Sequence, residues 1–359
     1  MSEQEGIVDF GIALATSTES WKVAKRAEEL GFSHAWFYDT QLLNPDVFMG
    51  MTMAAMHTSR IRLGTGVLIP SNRIEPVTAN ALATLNKLAP GRIDFGVGTG
   101  FTGRRTMGLK AITLDRMKIY IERVQKLLVG ETVTWDFEGH TRDIAFLNPD
   151  FGLINIEDPV ALHISAFGPR SRQLTAELGA GWLNFSGDEA NAARALGAMQ
   201  SAWTEAGNAQ EDLYATLFAL GAVLKPGEGY DSARVVAQAG PAVTVFFHGL
   251  VETTEPGSME SVLGKTTSDL LERYRKIYLA YPESRRYLDN HRGHLMFLRD
   301  DDRFLVTPEL VRSMTFTGEK ADLAERLSRL ESAGYRQFTI QLVEGQEDAL
   351  EDWAEVFGL

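Results

Sequence analysis

Short apolar runs alternate with longer amphipathic runs along most of the chain. The first apolar run, Ile7–Thr16, precedes a segment whose apolar positions repeat about every 3.6 residues and that stops at Gly31. The same unit returns at His34–Thr40, Ile61–Pro70 and Arg92–Gly100, each followed by a helical pattern. Strands that alternate with helices of this length predict a parallel sheet with right-handed crossovers.

Two long segments interrupt the alternation. Residues 131–159, which contain "TVTWDFEGH", predict a hairpin or another extended excursion. Residues 252–308, rich in charged and aromatic side chains, form an insertion that we expect to be a lid, because long insertions in compact domains commonly carry function. Four further strands bring the total to eight: Val160–Gly168, Gly181–Gly187, Leu213–Lys225 and Gln337–Val343. The predicted fold class is therefore α/β, a single (β/α)8 TIM-barrel domain with insertions over residues 1–359.

Composition and charge narrow the class of protein. No stretch approaches the roughly 18 consecutive apolar residues of a membrane span, and the polar start "MSEQEG" does not resemble a signal peptide. The absence of cysteine excludes disulfides, thiolate catalysis and cysteine–metal sites. We therefore expect a cytoplasmic protein. Because the formal net charge of −13 repels nucleic acid and anionic membranes, an anionic ligand has to be held by local donors.

Glycines cluster where the predicted strands end, which is where the active sites of such barrels lie. Gly64 and Gly66 lie in the third strand, and the fourth runs through Gly96 and Gly98 into "TGFTGRR". A glycine lets a flat ring or a phosphate approach the backbone. Tight interior packing could alone explain Gly64 or Gly96, but the continued run with Thr99 favours a ligand site. A dinucleotide-binding motif is not favoured, because this glycine run follows the fourth strand and lacks the acidic residue about 20 positions on.

A second candidate site is "SAFGPRSRQL" after the fifth strand. A glycine and a proline at a helix start expose backbone N–H groups that suit an anion. The alternative is an ordinary turn with solvated arginines. The residues that we expect to hold a phosphate here are Ser165, Gly168, Pro169, Arg170 and Ser171, with Arg172 adding charge.

Other polar residues at strand ends and in the insertion are candidates for chemistry. Asp39 either contacts a ligand or caps the next helix, and Asn72 lies beside Arg73, which either pairs with an anionic substrate or forms a surface salt bridge. His291 and His294 in the insertion could act as general acid or base from above the barrel, or be solvated loop residues. Metal-binding and G-x-S-x-G spacings are lacking, so a metal site and a hydrolase are disfavoured.

Three motifs carry a resemblance that covers nearly the whole chain. They are "TSRIRLGTGV" with the proline that follows, "LAPGRIDFGVGTG", and the "GPRS" before the fifth helix. The chain resembles the bacterial luciferase-like superfamily, and within it the branch that contains methylenetetrahydromethanopterin reductase. The resemblance is weakest in residues 226–307.

The resemblance implies a TIM-like barrel whose mouth holds a reduced flavin or deazaflavin. It implies a bulge within Gly64–Val67, often with a non-proline cis peptide, and a phosphate near the "GPRS" motif. The side chains that would line the ring and its polar edge are Asp39, Thr65, Asn72 and Thr99. Deazaflavin-dependent sugar dehydrogenases of this group carry histidine after the strand-two aspartate, where this chain has Thr40, so sugar oxidation is not expected.

These expectations lead to a first functional hypothesis: a two-component monooxygenase that uses reduced FMN (FMNH2) from a separate flavin reductase, and O2, to oxidise a small organic substrate. The first alternative is a coenzyme F-420-dependent reductase that moves a hydride to an imine or conjugated acceptor. The second is a non-catalytic flavin-binding protein. The candidate catalytic residues are His291, His294 and Arg73. The apolar helix "FMGMTMAAM" predicts a homodimer, with a buried monomer core as its alternative.

Overall fold

A computed structural model describes residues 8–359, so the polar N-terminal segment and Ile7 of the predicted first strand lie outside the described residues. Eight parallel strands close into a barrel in which each strand pairs with its neighbours in chain order, and the first pairs with the last. This confirms the predicted TIM-barrel class. The strands are β1 (Asp9–Leu14), β2 (His34–Phe37), β3 (Arg62–Thr65), β4 (Ile93–Val97), β5 (Ala161–Ser165), β6 (Gly181–Ser186), β7 (Ala215–Ala219) and β8 (Gln337–Leu342).

Helices surround the barrel and build the insertion. In chain order they are α1 (Ser20–Leu30), α2 (Val47–His57), α3 (Glu75–Leu88), α4 (Phe101–Arg105), α5 (Leu114–Leu128), α6 (Pro169–Glu177), α7 (Glu189–Glu205), α8 (Ala233–Thr253), α9 (Glu260–Leu263), α10 (Lys265–Ala280), α11 (Arg286–His291), α12 (Pro308–Met314), α13 (Lys320–Ala333) and α14 (Ala349–Phe357). Short 3-10 turns lie at Pro149–Phe151, Gln210–Asp212, Glu283–Arg285 and Asp300–Leu305.

Side chains alternate between two cores along each strand, as the period of two requires. In β2, Ala35 and Phe37 face the core between strands and helices, whereas Trp36 lies inside the barrel. In β1, Ile12 likewise faces the core between strands and helices, and Ala13 lies inside the barrel. The interior is therefore a packed layer of side chains with a lower and an upper end.

The two interruptions in the sequence pattern have different structures. The excursion contains an antiparallel hairpin of Val133–Phe137 with His140–Ile144, as predicted. The insertion has an apolar core of its own, formed by α8, α10 and α12 with the segment between them. A short parallel pair, Val223–Leu224 with Gly318–Glu319, lies where the chain leaves and re-enters the barrel. The core of the insertion thus extends back into α8, ahead of residue 252.

Helix α8 is long and apolar enough, by length and composition alone, to cross a membrane. Just over half of its most apolar window, 56%, is buried inside the protein. Val243, Phe247 and Val251 pack against Leu271 of α10, and His248 on the same helix is also buried. We therefore interpret α8 as the core helix of the insertion.

The sequence left open whether the apolar helix α2 packs in the monomer core or forms a dimer surface. In the structure, one side of the helix is buried and the other is exposed. Met51 and Ala54 are buried, whereas Met49, Met53 and Met56 are 73%, 39% and 64% exposed. The helix thus contributes to the monomer core and keeps an apolar outer face. The homodimer stays a prediction.

Candidate active site

The carboxyl ends of the strands surround an apolar chamber, which we call the barrel mouth. Its buried members include Ala15, Tyr38 and Phe218, and Val67, Phe185 and Met296 pack against them. Phe185 and Phe218 stack with ring centroids 4.4 Å apart. Because Met296 comes from the insertion, the insertion closes over the mouth in this structure.

The glycines of β3 and β4 make room for a side chain of the protein itself. A Cβ on Gly64 would lie 2.4 Å from Trp36 Cε3, and one on Gly66 would lie 3.0 Å from Trp36 Cβ. A Cβ on Gly96 would lie 2.0 Å from the Thr65 carbonyl oxygen. Interior packing, the alternative raised for Gly64 and Gly96, therefore accounts for all three glycines.

The strand ends above this layer match the bulge that the resemblance implies. The peptide bond between Gly66 and Val67 is cis, which confirms the implied cis peptide within Gly64–Val67. A Cβ on Gly98 would lie 2.8 Å from Val67 Cγ2, so Gly98 leaves space for that side chain at the mouth. Thr99 is half-buried beside it.

Thr65 is expected to line a ring, but its side chain is fully buried. Its hydroxyl donates to the Gly96 carbonyl at 2.7 Å and so ties β3 to β4. The hydroxyl is therefore already bonded within the barrel wall, below the mouth.

Asp39 and Arg73 form a nearly buried ion pair at the end of β2. Both Asp39 oxygens lie 3.0 Å from Arg73 Nη1, and Oδ2 also accepts from the Ile69 N–H at 3.1 Å and from Asn72 Nδ2 at 3.3 Å. Arg73 Nη2 donates to Asp46 at 2.6 Å. In this structure Arg73 is thus held by two carboxylates, and its predicted contact with an anionic substrate stays a prediction.

The alternative that Asp39 caps the next helix is wrong. Asp46 caps α2, accepting from the N–H groups of Phe48 at 2.9 Å and Met49 at 3.2 Å. Asp39 lies too early in the chain for that role, and the loop between them turns at Leu42, whose φ is 69°. Asp46, which directly precedes Val47, was not considered as a cap in the sequence analysis.

His291 is buried and His294 is half-buried, so the alternative of solvated loop residues is wrong. His291 is 3% exposed, and its Nε2 lies 3.0 Å from Glu252 Oε1. His294 Nε2 lies 3.4 Å from the Thr102 hydroxyl, in the loop region after β4. Burial lowers the pKa of His294 well below its ordinary value, so its imidazole is neutral at pH 7.

Three buried polar atoms on segments that meet at the mouth lack a hydrogen-bond partner among the described residues. They are the Tyr38 hydroxyl, Gln341 Oε1 and His294 Nδ1. Gln341 Nε2 is directed to the Leu295 carbonyl at 3.5 Å, which places β8 against the same insertion segment. Because buried polar atoms are normally satisfied, this set fits the polar edge of a planar heterocycle with carbonyl and N–H groups. Sequence reasoning missed Tyr38, although its alternation with Trp36 directs it into the barrel.

The residues that were predicted to bind a phosphate lie together at the start of α6. The Gly168 N–H donates to Ser171 Oγ at 3.1 Å, and that hydroxyl donates to the Gly168 carbonyl at 2.9 Å. Gly168, Pro169 and Arg170 are exposed, and Ser165 is half-buried. The structure brings these residues to one surface beside the mouth, and their binding of a phosphate stays a prediction.

A cavity of about 920 Å³ lies at the opposite, amino-terminal end of the barrel. Asp94 is fully buried there and forms a bidentate ion pair with Arg62, whose Nε and Nη2 lie 3.0 and 2.6 Å from the Asp94 oxygens. Ring nitrogens of His34 and His163 lie 3.9 and 3.6 Å from the same carboxylate. Since barrel enzymes bind ligands at the carboxyl face, we interpret this cluster as structural and the mouth as the site.

An α/β barrel with an apolar mouth, buried unpartnered polar atoms and a closing insertion is typical of enzymes that work on a bound organic cofactor. The chain belongs to the luciferase-like monooxygenase family, whose model matches residues 11–337. It is an oxidoreductase of that superfamily, as the resemblance implied.

Two curated relatives show the range of similarity. The chain is 27% identical over 338 residues to 5,10-methylenetetrahydromethanopterin reductase of Archaeoglobus fulgidus, covering 91% of both proteins. It is 35% identical over 136 residues to an F420-dependent glucose-6-phosphate dehydrogenase of Nakamurella multipartita, covering 36% of this chain and 39% of that protein.

Among solved structures, the coenzyme F420-dependent tetrahydromethanopterin reductase of Methanopyrus kandleri superposes with a TM-score of 0.71 at 20% identity, covering 97% of this chain and 98% of that one. The oxygenating component of 3,6-diketocamphane monooxygenase of Pseudomonas putida, in complex with FMN, gives 0.62 at 13% identity, covering 98% and 96%. At these identities the likeness shows the fold alone.

Proposed function

We propose that the protein is a coenzyme F-420-dependent oxidoreductase that transfers a hydride between the deazaflavin and a small organic substrate. The observation that carries the proposal is the similarity to methylenetetrahydromethanopterin reductase along 91% of both chains. The F420-dependent dehydrogenases that match over shorter segments support the same cofactor class. The sequence analysis gave the monooxygenase that uses reduced FMN as its first hypothesis and the F-420-dependent reductase as an alternative. The proposal now puts the F-420-dependent enzyme first.

The residues at the mouth fit such a group. Bound deazaflavin would supply a hydride donor or acceptor. Tyr38 and Gln341 would hold its polar edge through their unpartnered atoms, while Val67, Phe185 and Phe218 provide apolar walls. Met296 excludes water from above, which strengthens polar contacts inside.

His294 is the residue best placed to move a proton in this chamber. It is neutral because of burial, one ring nitrogen faces Thr102, and the other has no hydrogen-bond partner among the residues that the structure describes. A neutral imidazole can accept a proton at one nitrogen and donate from the other. His291, which faces Glu252, instead positions the segment.

A sugar substrate is not part of the proposal. The glucose-6-phosphate dehydrogenases match only part of the chain, and Thr40 stands where the resemblance implies histidine in sugar dehydrogenases. We propose an imine or conjugated acceptor as the substrate class.

A two-component FMNH2-dependent monooxygenase is the second candidate, with O2 and a separate flavin reductase as partners. The observation that favours it is the apolar, closed mouth of Val67, Phe185, Phe218 and Met296, because a flavin that reacts with oxygen needs water to be excluded. A hydride transfer enzyme benefits from the same shielding, so this observation ranks below the relatives.

Fluorescence titration under anaerobic conditions tests the proposal. The purified protein is titrated separately with F-420, oxidised FMN and reduced FMN. We expect F-420 to bind most tightly, and oxygen uptake to be unchanged when the complex is exposed to air. Tight binding of reduced FMN, without binding of F-420 and with oxygen uptake, would replace the proposal with the monooxygenase.

A further inference from the structure

A groove of about 310 Å³ opens between α6 and α7, beside the carboxyl ends of β5 and β6. Its inner wall is aromatic: Phe167 is 55% exposed, and its ring centroid lies 6.1 Å from that of Phe185. Arg172, Asn191 and Arg194 line its outer part. The "GPRS" residues Gly168–Ser171, predicted to hold a phosphate, do not line this groove.

Neither groove arginine has a carboxylate partner within residues 8–359. In the part of the chain that the structure describes, Arg172 Nε is buried and makes no hydrogen bond. Arg194 Nη2 donates to the side-chain oxygen of Asn191. The carboxylate of Asp188 at the start of α7 is already bonded: it caps α7 and accepts from the Asn191 N–H at 2.8 Å and from the Asn191 side chain.

This arrangement is specific for one ligand chemistry. Guanidinium groups bind phosphate oxygens through paired, charge-assisted hydrogen bonds. Because the protein carries a net charge of −13, its overall field does not attract anions, and two uncompensated guanidinium groups in one groove form a local exception. Phe185 also stacks on Phe218 in the barrel mouth, so the groove adjoins the active site.

We propose that this groove is a second ligand subsite, which binds the phosphate of an organic phosphate on Arg172 and Arg194 and an apolar or aromatic part of the same molecule on Phe167 and Phe185. The subsite goes beyond the proposed hydride transfer and does not depend on which cofactor occupies the mouth. The phosphate belongs either to the tail of a cofactor or to a substrate.

Calorimetric titration with phenyl phosphate and with inorganic phosphate tests the subsite. We expect Arg172→Gln and Arg194→Gln each to weaken phenyl phosphate binding about tenfold, the size of one lost charge-assisted hydrogen bond. Ala195→Glu, which leaves both arginines in place and adds a negative charge to the groove, should weaken it similarly. Phe167→Ser should weaken phenyl phosphate and leave inorganic phosphate unchanged.

The matched control is Arg142→Gln, an exposed arginine on the hairpin strand His140–Ile144, which should bind like wild type. Circular dichroism verifies that each variant is folded. Equal affinities in wild type and in the Arg172, Arg194 and Ala195 variants would overturn the proposal. So would the absence of phenyl phosphate binding at millimolar concentration.

A second arm assigns the source of the phosphate. Phenyl phosphate is titrated into protein saturated with F-420. Loss of binding supports the groove as the site of the cofactor's own phosphate, whereas retained binding supports it as a substrate subsite. Failure of F-420 to bind at all would refute the proposed function and leave the phenyl phosphate result intact.

Discussion

Arg105 Nη1 lies 3.1 Å from Glu252 Oε2, and this ion pair joins α4 at the barrel mouth to the end of α8 in the insertion. Glu252 also accepts from Asn290 Nδ2 at 2.7 Å and lies 3.0 Å from His291 Nε2. The carboxylate therefore ties the start of the segment that carries His294 and Met296 to α4 and α8. One of the two arginines in "GTGFTGRR" thus acts on the insertion.

Replacing Arg105 should loosen the closure of the mouth. Arg105→Gln leaves Glu252 half-buried with one cation fewer, and removing one partner of such a pair commonly costs about 1–3 kcal/mol at partial burial. We expect hydrogen–deuterium exchange to rise in residues 291–299 while the barrel strands stay protected. The measurement is exchange mass spectrometry of wild type and variant.

The neighbouring arginine provides the control for this prediction. Arg104 donates from Nε to the Lys110 carbonyl at 2.5 Å and is not paired with Glu252, so Arg104→Gln should leave exchange in residues 291–299 at the wild-type level. Equal increases in both variants would show that the effect comes from α4 itself rather than from the ion pair.

An added methyl group should destabilise the protein strongly at Gly64 and hardly at all at Gly168. Gly64→Ala places a Cβ 2.4 Å from the fully buried Trp36 ring, and overpacking of this kind costs about 1–3 kcal/mol or more. Gly168→Ala meets nothing closer than Ser171 Oγ at 3.9 Å, and its φ of −93° suits alanine. Urea unfolding of the two variants should show a large loss for Gly64→Ala and less than about 0.5 kcal/mol for Gly168→Ala.

The barrel could be predicted from the sequence because each strand and helix is indicated by the pattern of its own residues. Each of the eight strands is an apolar run of barrel-strand length followed by a helical period, and the hairpin follows from the pattern within its own residues. The role of Gly64 could not be derived in that way. It depends on Trp36, which is 28 positions earlier in the chain and meets Gly64 only because β2 and β3 pair in register.

The same distinction explains which site residues were found. Asp39, Asn72 and Arg73 follow strand ends and do come together. The partners of His291 and the function of Arg105 both depend on Glu252, which lies in α8 and carries no local signal. Sequence reasoning therefore placed the histidines above the barrel but left open whether they act as general acid or base or are solvated loop residues.

Stability should fall as the pH is lowered from about 6.5 toward 4 because of His34. Burial lowers the pKa of His34 to about 4, although the nearby charge of Asp94 opposes that shift. The unfolded chain, with an ordinary histidine pKa near 6.5, binds the proton over this interval and the folded chain does not. The loss of unfolding free energy between pH 7.5 and 5 should be on the order of 2 kcal/mol.

Urea unfolding at the two pH values measures this loss. His34→Gln should flatten the dependence in this interval, whereas His140→Gln, at an exposed hairpin position, should retain it. The Asp94 contribution has a separate window: its pKa is also lowered, so the stability it provides is lost only below about pH 4. A wild-type slope that persists in His34→Gln would contradict the assignment.

The unpartnered hydroxyl of Tyr38 should make Tyr38→Phe more stable and less able to bind the cofactor. A buried hydroxyl without a partner costs about 1–3 kcal/mol, and phenylalanine removes that cost without changing the ring. If the hydroxyl holds the polar edge of the bound ring, F-420 affinity should drop about tenfold. Tyr335→Phe is the matched control, because its hydroxyl donates to the Ala192 carbonyl at 3.0 Å and accepts from Asn184 at 2.8 Å. The Tyr335→Phe control should lose stability and bind F-420 as wild type does. If Tyr38→Phe is destabilised to the same extent as this control, the Tyr38 hydroxyl already has a hydrogen-bond partner and the prediction is wrong.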